Sequence, residues 1–227
     1  VERATNKLKA ANVRLRELDA LKNEFVSITS HELRTPLTSI RNYQWMLIAG
    51  KGGALTEKQS YYLERAYRAT NRLTKLVTDM LNVSRIDSGR VLLFPEQIDL
   101  FELSQDIVEE LQSKLGKRRL TIEHQRPNQK LPPVVIDKDK IYEVIMNLLA
   151  NAIKFTPDGG TITISYVSEP QFITWTIEDT GTGIDPKYLD ALFKKFSFVK
   201  NSIRSNHPKN ESTGLGLYIC KAIIELH

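Results

Sequence analysis

SITSHELRTPLTSI, residues 27–40, has the spacing of an amphipathic helix, yet it gathers a histidine, a charged pair, a threonine and a proline in one short run. At about 100° per residue, Val26, Thr29, Leu33, Leu37 and Ile40 fall within roughly 40° of one direction, and His31 points roughly 160° away. The imidazole is therefore expected to face solvent. Thr35, one turn on, shares its face, and Glu32 lies on the flank. Pro36 has no N–H, so the Glu32 carbonyl loses its helical partner, and the helix is expected to bend or loosen just after the histidine. An exposed histidine beside a carboxylate fits a nucleophile; taken alone, a surface histidine on a kinked helix is the simpler account.

N-terminal to this run, Leu8, Ala11, Leu15, Leu18 and Phe25 repeat in a broken heptad, the pattern of a short coiled coil running into the His31 helix. The breakers of AGKGGALT, residues 49–56, end that helix, and Thr56 can cap the next. There Leu63, Ala66, Thr70, Leu73, Val77, Leu81 and Ser84 line one stripe, which runs to RIDSGR, where Gly89 supplies the stop. Two long helices on a short loop make an antiparallel hairpin. It covers only part of each stripe, so it is expected to pair with a second copy into a four-helix bundle, unless another part of the chain takes that place.

A chain of 227 residues with 41% hydrophobic and 26% charged residues is globular material for one large or two modest domains. No apolar run reaches the length of a membrane span, and VERATNKLKAANVRL lacks the apolar centre of a signal peptide. The initial valine leads us to expect a piece of a longer protein, cut within a helix. The single cysteine, Cys220, excludes an internal disulfide, fits a reducing compartment and is expected in the core of the last helix. No His/Cys cluster has zinc spacing. Residues 1–90 hold 16 Lys and Arg against 9 Asp and Glu, a surplus of seven, whereas residues 91–227 hold 16 against 18. A basic surplus can mean nucleic acid, but these residues are spread around helices without interleaved aromatics or a groove-reading motif, and an acidic protein partner is at least as good a reading.

After residue 90 the period changes. VLLF, LTIEHQ, PVVI, TITISYV and FITWTIE read as strands, alternating with helices at about 100–115, 138–154 and 215–226. A separate α/β domain with a mixed sheet follows. The segment from Gly181 to Gly216 has a polar middle, and so long a weakly structured stretch reads as a lid.

Three clusters in this domain look chemical. Asn147 and Asn151 share a helical face with Glu143 and Lys154. Amide oxygens are hard, neutral ligands suited to Mg²⁺ bridging to phosphate, and a lysine beside them neutralises phosphate oxygens. Asp179 follows a strand and precedes Gly181 and Gly183. A carboxylate there accepts a hydrogen bond from the exocyclic amine of adenine, where guanine would present a repulsive carbonyl. In STGLGL, Gly214 and Gly216 bring backbone N–H groups to a helix start, an anion site.

In this order, the motifs resemble the catalytic core of a two-component sensor histidine kinase over nearly the whole chain. SHELRTPLT is similar to that family's phosphoacceptor motif, NLLANAIKFTP to its N box, DTGTGI to its first glycine box, FKKF to its F box and STGLGL to its second glycine box. The resemblance implies an α plus α/β architecture: an antiparallel helical hairpin in a dimeric four-helix bundle, then an α/β sandwich of the GHKL ATPase type with an ATP lid. The expected domains are 1–24 (coiled-coil signalling helix), 25–89 (dimerisation and phosphotransfer hairpin) and 90–227 (ATP-binding). The resemblance further implies that His31 accepts the γ-phosphoryl group of ATP and passes it to an aspartate of a response regulator receiver domain. Glu32 would hold the other ring nitrogen, and Thr35 would position water for dephosphorylating that regulator. Asn151 would hold Mg²⁺ with Asn147 close by, and Lys154, Phe155, Asp179, Gly181, Gly183, Phe193, Phe196, Thr213, Gly214, Leu215 and Gly216 would form the ATP site.

SRIDSGR is the expected hinge between the domains, and Pro36 the compliant point that sets kinase against phosphatase geometry. A homodimer is expected, with no direct nucleic-acid partner and no membrane contact by this fragment, which belongs in the cytoplasm while the intact protein is anchored in the plasma membrane. Phe198 stands where many family members have an arginine, with Lys200 and Arg204 the nearby cations, and the chain stops before the last strand that the family fold implies. Gyrase-like and chaperone ATPases share the nucleotide fold but have no preceding histidine motif. A non-catalytic or phosphatase-only scaffold is the other alternative, and the intact Asn151, Asp179, Gly181 and Gly214 speak against it.

Overall fold

The computed structural model describes residues 2–116, 118–127, 129–197 and 213–227. The side chains of Leu8 and Ala11, and the lid residues Phe198, Lys200 and Arg204, lie outside the described set. The described chain forms two compact units, residues 2–91 with 213–215, and residues 92–197 with 216–227.

The first unit is a helical hairpin of α1 (Glu2–Ile48) and α2 (Glu57–Asp87). Thr56 caps α2 in a full capping box: its side chain accepts from the Gln59 N–H, and Gln59 reaches back to the Thr56 N–H. The α2 end is closed by Gly89 at φ +63°, where Arg90 N–H returns to the Arg85 carbonyl. Pro36 does not divide α1, which is continuous across it. Its fixed φ suits a helix, and Leu37 directly after it is buried in this unit. The seam is unusually polar: Asn23, Ser30, Thr70, Asp79 and Ser84 are buried among Leu37, Val77 and Leu81. Ser84 Oγ donates to Asn23 Oδ1 at 3.2 Å. Of the expected stripes, Leu33, Ile40 and Leu73 remain 44%, 47% and 46% exposed, the uncovered remainder that a hairpin alone leaves.

The second unit contains β1 (Glu96–Ile98), α3 (Leu100–Lys114), β2 (Thr121–His124), β3 (Val134–Ile136), α4 (Lys138–Phe155), β4 (Thr161–Ser168), β5 (Ile173–Asp179), a 3₁₀ helix (Pro186–Ala191) and α5 (Gly216–Leu226). Its strands form two sheets: β1 pairs antiparallel with β3, and β4 lies between a parallel β2 and an antiparallel β5. VLLF is not a strand; the first strand begins after Pro95. Leu92 and Phe94 are exposed, and the Phe94 N–H goes to the Asp137 carboxylate at 2.9 Å rather than to a neighbouring strand. The lid is also less featureless at its start than expected, since Asp185 caps the 3₁₀ helix by accepting from the Lys187 N–H. Ile107, Leu149, Ile162, Ile164 and Ile219, contributed by α3, α4, β4 and α5, are essentially fully buried. Each such side chain stabilises the unit by about 2 kcal/mol.

One corner of this core is polar. Trp175 Nε1 donates to Ser104 Oγ at 3.1 Å. The Tyr166 hydroxyl lies within hydrogen-bond distance of His124 Nε2, at 2.7 Å. Phe101 stacks on the His124 ring at 4.6 Å. Burial holds the His124 pKa below its ordinary 6.5. Below that value the unfolded chain takes up a proton that the folded one resists, so stability falls as pH drops. His124→Gln keeps an acceptor that cannot titrate. We expect urea midpoints of the variant to decline less than those of the parent between about pH 7.5 and 5.5; parallel declines would remove His124 from the acid sensitivity.

Candidate active site

The histidine station lies on α1. His31 and Glu32 side chains are 76% and 75% exposed, with His31 Nδ1 3.3 Å from Glu32 Oε1. A carboxylate can only accept, so this contact uses Nδ1–H as the donor, and the ring nitrogen left over for a nucleophilic lone pair is Nε2. Thr35 Oγ1 points back to the His31 carbonyl at 3.5 Å, on the same face one turn further on. The helix thus places all three groups by simple periodicity.

The second station is built on α4 and the end of β5. Asp137 fixes the start of α4, with Oδ1 accepting from Lys140 N–H and Oδ2 from Phe94 N–H. Burial pushes its pKa up, but these bonds and the nearby Lys140 and His227 charges outweigh it and hold the carboxyl below the usual aspartate range. Asn147, Asn151 and Lys154 project from successive turns of α4, all half-buried. Lys154 Nζ lies over the Phe155 ring, 4.9 Å from its centroid.

Asp179 pairs with buried Ile162 in the sheet, and its Oδ1 accepts the Gly181 N–H at 2.9 Å. A Cβ on Gly181 would collide with Asp179 Oδ1 and stand 2.8 Å from the Phe155 carbonyl oxygen. The glycine therefore lets the Asp179 turn close directly onto the last turn of α4. Gly216 plays a similar part at the head of α5, where a Cβ would be 2.9 Å from Asn147 Oδ1. Gly183 adopts φ +67° and Gly214 φ +70°, both in the region that favours glycine.

Asn147, Asn151, Lys154, Phe155, Asp179, Gly181 and Gly216 thus belong to one unit. Phe193 and Phe196 belong to it too, but are 46% and 57% exposed. Thr213, Gly214 and Leu215 instead group with the first unit, where Thr213 Oγ1 donates to buried Asp79 Oδ2 at 2.6 Å and receives the Leu215 N–H at 3.3 Å. Sequence reasoning missed Asp79. It also missed Arg118, whose guanidinium meets the end of α4, and it missed the cap at Asp137, although an Asp before an apolar-periodic run is a start signal. Among the described residues no three His, Cys, Asp or Glu side chains converge as a metal site. The neutral amide oxygens of α4 suit a hard cation that keeps its water and takes its remaining ligands from phosphate.

Residues 21–89 match the family model described as His Kinase A (phospho-acceptor) domain, and residues 136–227 match that described as Histidine kinase-, DNA gyrase B-, and HSP90-like ATPase. The circadian input-output histidine kinase CikA of Synechococcus elongatus is 34% identical over 92% of this chain and 28% of its own length. The Acinetobacter baumannii histidine kinase AdeS shares 26% identity at a TM-score of 0.55, over 86% of each chain. Full-length ShkA, solved in complex with AMPPNP, gives a TM-score of 0.68 at 22% identity, over 88% of this chain and 40% of that one, a likeness of fold. The chain spans less than a third of the length of the CikA relative.

Proposed function

The chain belongs to the sensor histidine kinase family, and from that premise we propose that it takes the γ-phosphoryl group of ATP onto His31 and passes it to an aspartate of a response regulator. The observation that carries this reading is the exposed His31 ring, whose Nδ1 lies 3.3 Å from Glu32 Oε1, an arrangement that supports Nε2 as the nucleophile. As Nε2 attacks, a P–N bond forms, the bond from phosphorus to the β,γ-bridging oxygen breaks, and ADP leaves with that electron pair. The ring becomes cationic on attack, and Glu32 holds the Nδ1 proton and stabilises that charge. In the loose transition state of phosphoryl transfer, positioning and charge neutralisation dominate. Lys154 supplies a cation to the phosphates, Asp179 orients adenine, and Asn151, with Asn147 beside it, would hold Mg²⁺. When bound, that ion neutralises phosphate charge.

Residues 25–89 act as the dimerising phosphotransfer hairpin, 1–24 as the incoming signalling helix and 90–227 as the ATP-binding domain. The exposed apolar stripe on α1 and α2 supports a homodimer, and the basic surplus of residues 1–90 supports docking of an acidic receiver domain. No described helix is long and apolar enough to cross a membrane; a membrane anchor would lie elsewhere in a longer protein. The same helix face supports a phosphatase role for Thr35, whose hydroxyl needs only a rotamer change to leave the His31 carbonyl and orient water.

The test is incubation with Mg·ATP labelled at the γ-phosphate: an acid-labile, base-stable label is expected on the chain, discharged by a receiver domain. Thr35→Ala is expected to keep this labelling within about twofold and to slow dephosphorylation of the regulator by tenfold or more, on the order of a lost water-positioning group. Nucleotide binding without any label would leave the scaffold reading in its place.

A further inference from the structure

Arg118 lies between α3 and β2, outside every motif that the nucleotide site uses. Its guanidinium forks over the C-terminal end of α4, with Nη1 donating to the Ile153 carbonyl at 2.6 Å, Nη2 to the Thr156 carbonyl at 2.7 Å and Nε to Asp158 Oδ1 at 3.2 Å. A helix end leaves its last carbonyls without helical partners and carries partial negative charge. Here Thr156 serves the Ala152 carbonyl through both its N–H and its hydroxyl, at 2.9 and 2.7 Å. Arg118 then takes the next carbonyl along, that of Ile153, and the one beyond the helix end, that of Thr156. Charge-assisted bonds of this length are the strong kind, and only a planar fork reaches two carbonyls and a carboxylate together.

What Arg118 fastens is the turn that matters to the site. Asn151 and Lys154 stand on it, and the Phe155 carbonyl within it is the backbone against which Gly181, and with it the Asp179 turn, closes. We propose that Arg118 is a positioning residue for the nucleotide: it fixes the last turn of α4 so that Asn151 and Lys154 stand at a set reach from Asp179, which favours the magnesium-complexed triphosphate over the base alone. This inference rests on the reading of α4 and Asp179 as the nucleotide site. Arg118 itself touches neither base nor phosphate in this assignment. Its effect passes through the helix end.

The experiment measures calorimetric binding of adenosine, of ATP in EDTA and of Mg·ATP to the whole chain, its Arg118→Ala and Arg118→Lys variants, and Asp158→Ala. Adenosine affinity is expected to stay within about twofold throughout, while Arg118→Ala weakens Mg·ATP about tenfold or more and flattens the gain that magnesium confers. Arg118→Lys should fall between, and Asp158→Ala, which spares both carbonyl bonds, should resemble the parent. Equal losses for adenosine and Mg·ATP would mean a merely structural role and overturn the proposal, as would an unchanged magnesium gain in Arg118→Ala. If the alanine variant unfolds, the lysine variant decides by the same ratio. A parent chain that binds adenosine with no gain from magnesium would refute the Asn151 and Lys154 assignment first, and this inference with it.

Discussion

With glutamine in place of His31, the chain is expected to take up no label from γ-labelled Mg·ATP, a loss of about a thousandfold or more, while ATP affinity stays within about twofold. The two halves of this result have separate physical origins. The label is lost because an amide offers neither a nucleophilic ring nitrogen nor a stable P–N product. Binding is kept because His31 sits on α1 of the first unit, whereas Asn151, Lys154 and Asp179 are held by α4 and β5 of the second. Glutamine is also the mild choice for the helix. The His31 side chain is largely exposed, so no core contact is removed and helix propensity improves slightly. A second variant separates the ring from its neighbour: Glu32→Gln keeps a hydrogen-bond acceptor beside Nδ1 but removes the negative charge that meets the forming cation. It is expected to slow labelling without abolishing it. Residual base-stable labelling in His31→Gln would point to a different acceptor and sink the assignment.

How far such residues could be read in advance depends on how local their determinants are. Thr56 and Gly89 were readable because a capping box and a left-handed stop are made within a few residues. His31, Glu32 and Thr35 were readable because one helical period places all three. Asp179 and Gly181 were readable as a strand followed by a turn, although the closeness of that turn to Phe155 came only with the fold. VLLF misled for an identifiable reason. An apolar run next to a proline looks like a strand, but strand pairing is decided by partners elsewhere in the chain, and here Asp137 captured the N–H of Phe94. Arg118 was out of reach altogether. Its partners are backbone carbonyls 35 and 38 positions away, and carbonyls carry no residue signature. The bond between Thr213 and Asp79, separated by 134 positions, likewise has no periodic trace. The polar seam of the hairpin falls between these cases. Thr70 and Ser84 lay on the expected stripe, whereas Asn23 and Asp79 were hidden because a polar residue contributes nothing to a hydrophobic pattern.

Asp179→Asn, nearly isosteric, is expected to weaken ATP binding by about a hundredfold, or roughly 3 kcal/mol, the scale for a charge-assisted bond replaced by a mismatch. The two carboxylate oxygens have separate duties. Oδ1 accepts the Gly181 N–H, and Oδ2 has no partner among the described residues, which leaves it to accept from the exocyclic amine of adenine. Asparagine has one oxygen for these two donors. If the amide oxygen keeps Gly181, its NH₂ confronts the adenine amine; if it turns to adenine, its NH₂ confronts the Gly181 N–H, and the turn that lies against Phe155 is disturbed. Either arrangement puts a donor against a donor. The variant should therefore lose most of its preference for adenine over guanine, because the guanine carbonyl can accept from the new NH₂. Displacement of a fluorescent ATP analogue by ATP and by GTP would measure both quantities. The thermal midpoint should move little, since Asp179 is exposed and the only described hydrogen bond of its side chain is to its own turn. Unchanged ATP affinity, with the adenine preference intact, would move the base-reading role to another residue.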